Sequence, residues 1–161
     1  MGYDVPIGRE TGLNIKNRLV TNLPETVGHK IPILGKIAAG LPIVADEYII
    51  GYTYTERNGD NTYFALQVEG DSMNAARIDD GDIIIIRKTP QVENGEIAAV
   101  MVNDENATIK KYRQEGNIVH LIPWSNNPVH DIQIYNLRKD KIRIIGKVVE
   151  TRIPNEEIEY E

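Results

Sequence analysis

The sequence predicts a mostly β fold, and three observations carry that expectation. Short runs rich in Ile, Val and Tyr recur along the chain, Gly-, Asn- and Asp-containing turn signals separate them, and only one stretch reads as helix. Nine strands are expected, at residues 31–38, 48–55, 63–68, 82–87, 96–102, 108–113, 118–122, 132–137 and 142–151. The separators include Asn58-Gly59-Asp60, Asp80-Gly81, Asn94-Gly95, residues 103–106 and Glu115-Gly116-Asn117. Asn94-Gly95 is the strongest hairpin signal, because a tight primed turn needs positive φ at both central residues. The helical exception is Ser72-Met73-Asn74-Ala75-Ala76-Arg77, opened by a good capping residue and about one and a half turns long.

The chain has 161 residues, 41% hydrophobic and 26% charged, which suits one domain with a real core and an extension at each end. Residues 1–30 mix Gly, Pro, Asn and Thr with short apolar pieces and read as a linker or flexible arm. Residues 31–153 form the body, and 154–161 an acidic, disordered tail. No run approaches the roughly 18 apolar residues of a spanning helix, and Met-Gly-Tyr-Asp-Val-Pro is no secretory signal, so a cytoplasmic protein without a membrane partner is expected. Net charge is −6, but Glu156, Glu157, Glu159 and Glu161 supply four of those charges and residues 1–155 carry −2. A body without a basic excess is a poor binder of nucleic acid on its own.

With no cysteine, thiolate chemistry and cysteine-rich zinc sites are excluded. His29, His120 and His130 have no ligand spacing, so no metal and no cofactor is assigned. Asp79-Asp80-Gly81-Asp82 could open a calcium loop, but the Glu needed further on is missing, and a turn into the next strand accounts for it better. Singly, the remaining candidates are ordinary. A serine in Gly-Asp-Ser-Met is most often a turn or cap residue, and one of Lys110 and Lys111 on an alternating strand must face inward while the other faces water.

Their order says more. Glu69-Gly70-Asp71-Ser72-Met73, then Asp80-Gly81-Asp82 eight residues beyond the serine, then Thr108-Ile109-Lys110, with Ala38-Ala39-Gly40 about thirty residues ahead of the serine, resembles the self-cleaving LexA and phage-repressor family. The resemblance covers residues 31–153 and implies the mostly β domain shared with signal peptidases. It implies Ser72 as nucleophile, Lys110 as general base (Lys111 if the register is shifted) and Ala39-Gly40 as the scissile bond in the enzyme's own chain. The chemistry is coherent, since a serine needs a proton acceptor and a lysine becomes one only when burial lowers its pKa. The Ser72 and Met73 amides, at the expected helix start, are candidates to hold the oxyanion. Small residues at 38–40 suit a segment whose backbone must approach both Ser72 and Lys110.

The family's repressors carry a helix-turn-helix domain ahead of the linker, and the thirty residues before Ile31 are too few for one. The expected function is therefore the C-terminal autoproteolytic and dimerisation domain of a LexA-like or prophage repressor in the SOS DNA-damage response. Operator DNA would be reached only through a helix-turn-helix domain outside this chain. The resemblance further implies a homodimer, for which the apolar strand 142–149 offers an open edge, and a RecA filament as trigger. The alternatives are a UmuD-like polymerase accessory subunit, or a repressor module that only dimerises.

Overall fold

The structure, a computed structural model, describes residues 28–57 and 62–154 and the backbone of residues 159–160. Among these residues ten strands form one mixed sheet: β1 (His29–Leu34), β2 (Ile49–Thr55), β3 (Tyr63–Gln67), β4 (Ile83–Lys88), β5 (Ile97–Val102), β6 (Thr108–Glu115), β7 (Ile118–Ile122), β8 (Gln133–Asn136), β9 (Ile142–Arg152) and β10 (Glu159–Tyr160). Their order across the sheet is β10-β2-β1-β3-β4-β9-β5-β6-β7-β8. All nine expected strands form, with ends shifted by a few residues. The arm expected over 1–30 lies outside the described residues up to position 27, and its last residues already belong to β1. At the other end the tail expected to be disordered contributes a strand, Glu159 pairing with Tyr52 and Tyr160 with Gly51.

Burial divides the sheet in two. In β4 the side chains of Ile83, Ile84, Ile85 and Ile86 are all fully buried. Alternate residues of one strand point to opposite faces, so a continuous apolar run means that both faces are covered. Ile84 and Ile86 join Leu34, Phe64, Met73 and Ile145 in the main core, while Ile83 and Ile85 join Ile31, Ile33 and Ala65 on the other face. Beyond β5 the sheet is a meander with a third, one-sided cluster of Ala98, Val100, Tyr112, Val119 and Leu121. Its outer side is open, with Ile134 of β8 62% exposed.

β9 joins the two halves, pairing with β4 along one edge and β5 along the other. The apolar strand expected to leave an edge open is thus interior, and the sheet ends at β10 and β8. Both of its pairings shift register, near Ile85/Ile86 and near Ala99/Val100. Gly146 lies at this irregularity, where an added Cβ would stand 2.5 Å from the Arg87 carbonyl oxygen. Only a residue without a side chain lets the two backbones come this close.

The turns are distributed differently from expectation. Asn94-Gly95 closes no hairpin, because β4 and β5 are separated by β9. The Glu96 amide donates to the Glu93 carbonyl, and Gly95 has φ +94° while Asn94 is not left-handed, the pattern of a type II turn. The primed turn lies between β5 and β6 instead, where Asn103 and Asp104 both have positive φ and the Glu105 amide donates to Val102. Asn and Asp tolerate that region better than other side chains. The Asn103 side chain also bonds to the Lys141 amide and the Asp140 carboxylate.

Candidate active site

Ser72 sits in the connection from β3 to β4. The base of this connection is tied together by Gly81-to-Val68 and Val68-to-Asp82 backbone bonds, by the Asp80 carboxylate on the Gly70 amide, and by Asp82 on the Asp79 amide. This is how the Gly-Asp-Ser and Asp-Gly-Asp motifs come to lie side by side. The expected helix is reduced to a single 3-10 turn, Asn74–Ala76, with Met73 rather than Ser72 in the cap position and no side-chain cap. So short an element has no macrodipole of consequence, which removes that part of the oxyanion argument. The amides themselves remain: neither Ser72 nor Met73 donates a hydrogen bond to another described residue. The buried Met73 side chain anchors the turn in the main core.

Lys110 lies on the face of β6 that carries Tyr112 and is part-buried, and its ammonium donates to the Thr108 hydroxyl at 2.7 Å. Burial pushes its pKa below the ordinary lysine value. Lys111 points the other way, its ammonium 4.6 Å from the centre of the Trp124 ring. The sequence marks Thr108 only as part of the lysine motif, although its position two residues before Lys110 on a strand puts both side chains on one face.

Two cavities meet here. One, of about 180 Å³, is lined by Ser72, Met73, Lys36, Ile37 and Thr108. The other, of about 400 Å³, is lined by Lys110, Thr108, His130, Asp131 and Tyr135. Thr108 and Asn106 border both, so serine and lysine occupy adjoining hollows, and they do not hydrogen-bond each other in this conformation. The segment before Ala38 runs along the start of β6: Ile37 is buried, and its carbonyl accepts from the Ala107 amide at 2.9 Å.

Ala39 packs against the main core and Gly40 is exposed in a turn. Neither lines the Ser72 cavity, so the Ala39-Gly40 peptide is not seated on the serine here. Gly40 has φ +81° and open space around a hypothetical Cβ, so left-handed backbone, rather than crowding, is what favours glycine in this conformation.

One histidine enters the site, which the sequence does not anticipate. His130 lines the Lys110 cavity, and its Nε2 lies 2.6 Å from Oδ1 of Asp71, the residue just before Ser72. Among the described residues no three His, Asp or Glu side chains converge as a metal site would require, and no helix is long and apolar enough to cross a membrane.

A mostly β domain that sets a serine turn beside a half-buried lysine has the build of a peptidase domain. Residues 32–149 match the Peptidase S24-like family model, and the chain belongs to that family. It is similar to a LexA repressor of Oleidesulfovibrio alaskensis, 38% identical over 144 residues, which cover 88% of this chain and 67% of that protein. LexA repressors of Desulfatibacillum aliphaticivorans and Thermobifida fusca are 43% and 40% identical over 112 and 121 residues, covering 67% and 74% of this chain and 55% and 45% of those proteins. The chain thus matches about half to two thirds of the length of these relatives.

Proposed function

We propose that this is the self-cleaving and dimerising domain of a LexA-like repressor, with Ser72 and Lys110 as its catalytic pair. The observation that carries the reading is Lys110: part-buried, depressed in pKa, held by Thr108, and in a hollow adjoining that of Ser72. Neutral Lys110 takes the Ser72 proton as the hydroxyl oxygen attacks the Ala39 carbonyl carbon. The Ser72 and Met73 amides hold the resulting oxyanion. As the bond to Gly40 breaks, the Lys110 ammonium returns its proton to the departing amine, leaving an ester between Ser72 and Ala39. Water, deprotonated by Lys110, then hydrolyses that ester. The 39–41 turn must first leave its place over the core, and a RecA filament need only favour that conformer to act as the trigger.

Cleavage would separate this domain from a DNA-binding head elsewhere in a longer protein. Operator affinity falls because a homodimer holds two heads at high effective concentration. On this reading the protein acts in the cytoplasm, within the SOS response. Mass spectrometry of the purified chain held at about pH 7 to 10.5, a span chosen around the lysine titration, tests the reading. Fragments divided at Ala39-Gly40 are expected, at a rate that rises with pH and then levels. Ser72→Ala and Lys110→Ala should each slow it by more than about a thousandfold. A cut elsewhere, or undiminished cleavage in Ser72→Ala, overturns it.

A further inference from the structure

The loop between β7 and β8 is fastened to the Ser72 turn at several points. The Trp124 amide donates to the Ser72 carbonyl at 2.8 Å, and the Ala75 amide donates to the Trp124 carbonyl at 2.8 Å. Asn74 and Asn126 bond reciprocally, the Asn74 amide group to the Asn126 side-chain oxygen and the Asn126 backbone amide to the Asn74 side-chain oxygen, both at 3.0 Å. Asp71 completes the set with both carboxylate oxygens, Oδ1 on His130 at 2.6 Å and Oδ2 on the Asn127 side-chain amide at 3.1 Å.

The backbone and Asn contacts fix where the two segments touch. The Asp71 contacts lie next to the serine itself, and no peptide geometry requires them. We propose that Asp71, Asn127 and His130 form a latch that positions Ser72 towards Lys110. This deepens the self-cleavage reading and rests on it.

Met73 in the core and the Trp124 and Asn126 bonds hold the turn from the far side of the serine, so that without its side-chain contacts Asp71 would keep freedom at its linkage to Ser72. The bidentate hold on Asp71 removes that freedom, and small displacements of a nucleophile are costly to rate. The His130 and Asn127 contacts keep the Asp71 carboxyl below its usual range, so it remains an anionic acceptor through neutral pH. His130 also borders the cavity shared by Lys110, Glu105, Asp131 and Tyr135, so displacement of its ring alters the space through which serine and lysine must meet. None of the three latch side chains takes a proton from substrate; they act through Ser72.

Trp124, the only tryptophan of the chain, lies within the latched loop and reports on it independently of catalysis. In a Ser72→Ala background, acrylamide quenching of Trp124 fluorescence should rise about twofold in Asp71→Asn and His130→Ala and stay near the parent value in His130→Gln, whose amide can still donate to Asp71. In the Ser72 protein, His130→Ala and Asp71→Asn should slow self-cleavage about ten- to a hundredfold with the alkaline limb of the pH profile in place. His130→Gln should recover to within about threefold of the parent, well inside that loss. Unchanged quenching in all variants, or no rescue by Gln, overturns the latch. So does complete loss in both His130 variants, equal to that of Lys110→Ala, which would make His130 a proton acceptor. A parent protein that cuts at no pH defeats the self-cleavage reading, and the quenching series still decides the latch.

Discussion

The half of the sheet built on β1, β3 and β4 is buried on both faces, whereas the meander of β6, β7 and β8 is buried on one. The two candidate groups are divided between them. Ser72 hangs from the first half, with Met73 sunk in its core, and Lys110 rises from the second. The division suits the role proposed for each. A nucleophile benefits from a fixed seat, and interior packing at organic-crystal density supplies one. A lysine that must lose and regain a proton needs a dry wall on one side and an opening on the other, which a one-faced strand beside a cavity offers.

The contrast breaks most visibly under truncation. Phe64→Ala, in the two-faced half, should cost about 3–5 kcal/mol, while Ile134→Ala on the open meander should stay within about 0.5 kcal/mol; urea denaturation midpoints compare them. At the seam, Gly146→Ala puts a Cβ against the Arg87 backbone and should lose about 1–3 kcal/mol by the same measurement.

Lys110→Met sharpens the comparison with a pH-dependent sign. Since burial lowers the folded-state pKa of Lys110, the unfolded chain binds more protons between that value and about 10.4, and Lys110 makes stability rise with pH across this window. The Met variant should therefore melt higher than the parent at neutral pH, with the advantage shrinking as pH climbs; a constant difference would show that the ammonium is not desolvated. A small effect is expected at Lys111, whose ammonium lies over the Trp124 ring. Its replacement by Ala should remove about 0.5–1 kcal/mol at most and leave the self-cleavage rate within about threefold.

Much of this was legible because strands announce themselves by β-branched runs between turn formers, and that pattern survives folding from β1 to β9. The serine and lysine were legible as motifs. Long-range placement was not. Nothing local distinguishes a strand at a sheet edge from one inserted between two others, so the apolar run 142–149 suggests an open edge although it is interior. Asn94-Gly95 carries the chemistry of a hairpin, yet a strand lies between its flanks. The same limit hid the His130 partner of Asp71, 59 residues away in sequence. Thr108 needed only the two-residue period of the strand that carries Lys110. Ser72 failed as a helix cap because the Trp124 loop pairs with its carbonyl and leaves just three residues to coil.

The insertion of β9 between β4 and β5 also sets a schedule. During synthesis the chain emerges from its N-terminus, and pairings between distant residues are slow to form because loops must close first. The serine half and the lysine meander can each begin to pair locally, but the strand that unites them, Ile142–Arg152, follows both of them in the chain. Until it leaves the ribosome the two halves of the sheet have no strand to join them. Ser72 and Lys110 are therefore joined into one body only once β9 has followed both of them out, and the order of synthesis sets when they can meet.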